Sequence, residues 1–145
     1  MALQTDYNDT QPAAVVGAQA TMLPSTIISR NVETEGGIGF GRALAQGAGD
    51  KGVVLFGGAN DDFVGITLLD RSAAGLGDTF RQGDSARVIT KGDIWVEASV
   101  AVAAGDPVTL TAAGAFSNTG DDAIAGARWD TSTTAPGQLA VVRLG

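Results

Sequence analysis

The residues best suited to chemistry in this chain are its carboxylates, and six of them follow a glycine. They stand at Gly49-Asp50, Gly77-Asp78, Gly83-Asp84, Gly92-Asp93, Gly105-Asp106 and Gly120-Asp121. Carboxylates serve two chemistries without help from other residue types. Spaced oxygens bind a hard cation such as Ca²⁺, and a facing acid–base pair hydrolyses glycosides. Neither pattern is met. Asp61-Asp62 and Asp121-Asp122 are adjacent pairs without the spaced oxygen set of a Ca²⁺ loop. No two of the sixteen Asp and Glu are singled out by spacing as an acid and a base. The chain has no His and no Cys. That removes the commonest general base, the commonest zinc ligand and all thiol chemistry. Gly39 and Gly41 resemble the start of a dinucleotide fingerprint, but Leu44 stands where the third small residue is required. We therefore expect no catalytic residue, no metal and no cofactor.

The Gly-Asp pairs read better as turns. Glycine adopts positive φ at no steric cost, and Asp bonds the backbone two residues on. Short apolar runs lie between these turns. Thr26 to Ser29, Gly52 to Phe56, Phe63 to Asp70 and Ser85 to Thr90 have strand length. Ile94, Val96 and Ala98 alternate with Trp95, Glu97 and Ser99, a period of two. Lys91-Gly92-Asp93 reads as a turn that separates the last two runs. Pro107 has no N–H to give a ladder and belongs at the first position of the strand through Val108-Thr109-Leu110. Ala112-Ala113-Gly114 closes a hairpin into Phe116. Ala123 to Asp130 and Gln138 to Leu144 are the last two strands, the latter placed to complete a barrel by pairing with an earlier one. The expected fold is all-β, a small β-barrel or jelly-roll-like domain.

At 145 residues the chain is one domain that buries about 68–70% of its unfolded surface without a staple. Its net charge of −7, with nine scattered Lys and Arg, argues against nucleic acid, which needs clustered cations. No run is apolar and long enough for a spanning helix, and the N-terminus has no basic region of a signal peptide. The expectation is a soluble protein with neither nucleic-acid nor membrane partners.

Residues 1–24 differ from the rest. Leu3, Tyr7, Val15, Val16, Met22 and Leu23 stand in a small, polar background with no clean period over the whole stretch. Such a segment reads as an extended arm that orders on a partner, or else as a first strand packed on the domain's own sheet. The domain organisation is then an arm over 1–24 and a single barrel over 25–145, with those six residues as partner contacts. Trp95 and Trp129 support a different function, a carbohydrate-binding β module on a virion or secreted protein, if their rings are free to stack on sugars.

Phe40-Gly41-Arg42-Ala43-Leu44, Phe63-Val64-Gly65-Ile66-Thr67, Lys91-Gly92-Asp93-Ile94-Trp95-Val96, Ala104-Gly105-Asp106-Pro107-Val108 and Pro136 to Leu144 form an ordered set from about residue 24 to the end. This set resembles the head decoration, or structural cement, proteins of tailed bacteriophages. The resemblance implies a non-enzymatic virion protein, made in the host cytoplasm. It would sit on the outer surface of the capsid, bridge major capsid protein subunits, and self-associate as a trimer or dimer. If the carboxylates are turn residues, thermal unfolding will be the same with and without EDTA. A fall in Tm with the chelator would return Asp61-Asp62 or Asp121-Asp122 to the list of ligands.

Overall fold

The computed structural model describes residues 3, 14–74 and 79–145, so the Gly77-Asp78 pair and Tyr7 lie outside the described residues. Eleven strands and one helical turn follow in order. They are β1 (Thr26–Val32), β2 (Ile38–Gly39), β3 (Ala43–Gln46), β4 (Gly52–Leu55), β5 (Phe63–Thr67), α1 (Arg71–Ala74), β6 (Thr79–Phe80), β7 (Ser85–Glu97), β8 (Pro107–Leu110), β9 (Phe116–Ser117), β10 (Asp122–Trp129) and β11 (Leu139–Leu144). The fold is all-β, as the strand-length runs require. Pro107 is the first residue of β8, and Ala112 to Gly114 turn β8 into β9.

Five strands close a barrel. β1 pairs with β4, β4 with β3, β3 with β5, β5 with β7, and β7 returns to β1. The β1–β4 pairing is parallel and the others are antiparallel. Val32, Leu44, Val53, Ala86 and Val88 pack inside, with Ile38, Phe40 and Phe80 from the β2–β6 ribbon and its turn. The Phe40 and Phe80 rings meet edge to face with centroids 5.4 Å apart, the geometry that ring quadrupoles favour. The remaining strands extend the sheet from β7 through β11, β10 and β8 to β9. Ala98 then pairs with Phe116 in parallel and Ser99 N–H donates to its carbonyl at 2.9 Å, so the extension curls back on its origin. A larger core, built around Trp129, Phe116, Ile94, Val96 and Leu110, fills this half and reaches Ile66 and Ile89 of the barrel.

Lys91-Gly92-Asp93 is not a turn. It lies inside β7, which runs unbroken for 13 residues and belongs to both halves. The glycine is needed for a different reason. β1 pairs Ile27 with Ile89 but Thr26 with Lys91, so Thr90 is an extra residue on β7. Such a bulge turns a strand over. Before it, even-numbered Ala86 and Val88 face the barrel core and Ile89 faces away. After it, Ile94 and Val96 face the same core as Ile89. Gly92 follows the bulge with φ of +116°, and a Cβ there would sit 2.7 Å from Ser25 Cβ. Gly92→Ala should destabilise the fold by about 1–3 kcal/mol through backbone strain and that clash. Urea unfolding checks it, and an unchanged midpoint would mean that β7 can cross between the halves without a positive φ.

Candidate docking surface

Residues 17–20 are bonded to the domain. Gly17 N–H donates to Trp95 O at 2.8 Å, Trp95 N–H to Ala18 O at 2.9 Å, and Ala20 N–H to Asp93 O at 3.4 Å. Gln19 forms an antiparallel bridge with Ile94. Residues 17–21 are therefore a strap along β7, and β1 continues along the same edge. Between them Met22 to Ser25 loop out, all exposed. Small residues make this possible. Ala18 and Ala20 fit over Trp95 and Val141, beside Leu139, in a cluster of their own.

A buried carboxylate fastens the strap. Asp93 has no exposed surface. Its oxygens accept the Thr21 N–H at 3.2 Å and the Thr21 hydroxyl at 2.5 Å. A buried polar group is tolerated when hydrogen-bonded in this way. The sequence places core residues after Pro24, yet Ala20 is buried and roofs Trp95.

Of the six residues proposed as partner contacts, four described ones are exposed. Leu3 is 84% exposed, Met22 is wholly exposed, and Val15 and Leu23 are exposed as well. Val16 instead turns inward, half-buried, and lines a groove of about 470 Å³ with Phe40, Arg42, Glu97 and Phe116. Ile27 is the exposed residue that sequence reading missed, because Thr26-Ile27-Ile28 reads as a strand with no sign of which face is covered. Among the described residues, every exposed large hydrophobic side chain falls at or before residue 27.

The other candidates resolve into structure. Trp95 is 4% exposed and Trp129 1%, so neither ring is open to a sugar, and the carbohydrate-binding alternative loses its basis. Trp129 Nε1–H donates to Ser117 O at 3.2 Å. Asp106 accepts from Asn118 Nδ2 at 2.8 Å and from Ala103 N–H, and these bonds hold its carboxyl below the ordinary carboxylate range. Asp70 is lowered likewise by the Ser72 hydroxyl and N–H. Depressed carboxylates of this kind stabilise a fold above their unfolded pKa and cease to do so as acid protonates them. Among the described residues no group of three His, Cys, Asp or Glu is arranged to hold a metal ion. No helix among them is long and apolar enough to cross a membrane.

Among the described residues, the exposed large apolar side chains fall at or before residue 27. A family model described as structural cement protein (E217 gp24/Pam3 gp6) matches residues 3–145. This chain belongs to the phage structural cement proteins. A chain in the solved structure of the capsid of Myoviridae phage XM1 is 18% identical and superposes with a TM-score of 0.74, covering 100% of this chain and 98% of that one. The head fiber gp8.5 N base of bacteriophage phi29 is 17% identical, with a TM-score of 0.52 over 84% of this chain and 95% of that one. At such identities these likenesses speak for the fold. No curated protein is similar enough to match. Family membership carries a structural role at a phage capsid and points away from enzymatic function.

In this cement protein the strap and the exposed residues separate by experiment. Removing residues 1–13 should leave Tm within about 2 °C, because the strap stays. Removing 1–21 should lower it markedly, since Trp95, Val141 and the β7 edge lose their cover. Asp93→Ala should cost about 1–3 kcal/mol, the loss of two hydrogen bonds at about 0.5–1.5 kcal/mol each, and speed amide exchange at Gly17 and Ala20. Equal melting of both truncations would show the strap to be dispensable.

Proposed function

We propose that this cement protein binds the outer surface of a tailed-phage head and bridges major capsid protein subunits, with the N-terminal segment as its docking arm. Residues 1–24 are the arm, 25–145 the barrel that carries it, and the strap ties one to the other. Leu3, Tyr7, Val15, Met22 and Leu23 are the contacts in this reading, with Val16 as an inner support and Ile27 extending the surface. The single observation that supports it is that, among the described residues, every exposed large apolar side chain falls at or before residue 27. Burying each one contributes about 1.5–3 kcal/mol before the ordering cost is deducted. A shell repeats its sites by symmetry, so copies that also touch one another, as a dimer or trimer, gain by avidity what one shallow contact lacks.

The test is co-sedimentation of a Met22→Ser/Leu23→Ser double variant with empty capsids. Met22 and Leu23 loop out and support no core, so Tm should hold while capsid affinity falls at least tenfold. Binding equal to wild type would move the interface to another face of the barrel.

A further inference from the structure

β5 and β11 meet the same edge of β7 from opposite ends and then diverge. β5 pairs with β7 at Thr67 and Ile66, reaching Ile89. β11 pairs with β7 from Glu97 back to Gly92. Thr90 and Lys91 lie between the two ladders. Phe63 and Val64 of β5 continue past its ladder with β7, and Phe63 pairs on the other side with Ala45 of β3. Across the gap stands β10. Its ladder with β8 breaks between Ala123 and Arg128, and its ladder with β11 begins at Ala127. Ile124, Ala125 and Gly126 pair with neither strand. The result is a slot of about 480 Å³ bordered by strand edges without ladder partners. Its walls are mostly apolar, with Phe63, Val64, Ile124 and Leu144 among them, and Lys91 is the one charged side chain in the lining.

Strand edges flanking an apolar cleft accept an extended chain by main-chain hydrogen bonds, with alternate side chains giving selectivity. From this geometry we propose that the slot receives, as an added strand, the N-terminal segment of a second copy of this chain. The proposal rests on the docking-arm reading but gives Leu3 and Tyr7 a sister copy as receptor, which leaves Val15, Met22 and Leu23 for the shell. An extended conformation would put Leu3 and Tyr7 on one face, with the small Thr5 between them, a pair suited to the apolar slot. Residues 1–13 contain Asp6 and Asp9 and no Lys or Arg, which complements Lys91. Leu3 is 84% exposed and so has no burial within its own chain. A second copy fits better than the same chain, because the strap of residues 17–21 lies on the opposite edge of β7, the edge it shares with β1.

The experiment titrates a synthetic peptide of residues 1–13 into the ¹⁵N-labelled full-length protein. Amide shifts should concentrate at Phe63, Val64, Thr90, Lys91 and Ala123 to Gly126. Lys91→Glu should weaken peptide binding at least tenfold, and a peptide carrying Asp6→Lys and Asp9→Lys should restore it on that variant. Tm of Lys91→Glu should stay at the wild-type value, since the side chain is exposed. Shifts elsewhere, no shifts at millimolar peptide, or failure of the charge swap would overturn the slot as receptor. Slot amides protected in dilute protein and indifferent to peptide would mean occupation by the chain's own segment and would also overturn it. Capsid co-sedimentation separates the two readings. If Leu3→Asp/Tyr7→Asp abolishes capsid binding while Lys91→Glu changes neither association nor binding, the arm docks on the shell and the slot assignment alone fails.

Discussion

One strand of 13 residues takes partners on both of its edges, with Thr90 and Lys91 between the two ladders of one edge, and the fold depends on that constraint. β7 meets β1 and then the strap on one edge, and β5 and then β11 on the other. A backbone N–H or C=O left bare in the interior costs as much as a lost hydrogen bond. The four partners must therefore arrive in the right order from distant parts of the chain. The bulge at Thr90 and the positive φ of Gly92 let one strand present Val88 to one core and Ile94 to the other. Without that half-turn a single strand would offer each core the wrong face.

This arrangement suits a cement protein. A capsid contact repeated by symmetry rewards a rigid body with shallow, spread surfaces over a deep pocket. Both halves share β7, so a load applied to one passes to the other along a continuous strand. The barrel core and the larger core are separate clusters, yet they are not separable units, because each takes side chains from the same strand. The chemistry that the Gly-Asp pairs suggest is spent internally. Asp106 braces the turn from Ala103 to β8, and Asp93 fastens the strap.

The N-terminal segment divides in two physically. Residues 17–21 belong to the domain by backbone bonding and by cover of Trp95, whose indole N–H is buried with no partner among the described residues. The residues around them that stay exposed carry the unburied apolar surface. Composition alone made Leu3, Val15, Met22 and Leu23 legible, because large apolar residues in a small polar background have no neighbours in sequence to bury them. Val16 and Ile27 were not legible. One is covered by the turn at Phe40 and Gly41, and the other is exposed because of where β1 sits in the barrel.

Local chemistry by itself determined the strand-and-turn rhythm, the place of Pro107 at a strand start, the hairpin after Leu110 and the absence of thiol and imidazole groups. These follow from φ preferences, missing donors and residue types, which act within a few residues. Tertiary structure decided what Gly92 is for. A glycine with positive φ reads the same in a turn as in a bulge, and the choice depends on Thr26 and Ile27 lying across from it. It also decided that both tryptophans are core, that Asp93 is a buried clamp, and that β5 and β10 leave a slot between them. Each of those depends on strands brought together from far apart in the sequence, and pairing across such distances leaves no mark in the spacing of neighbouring residues.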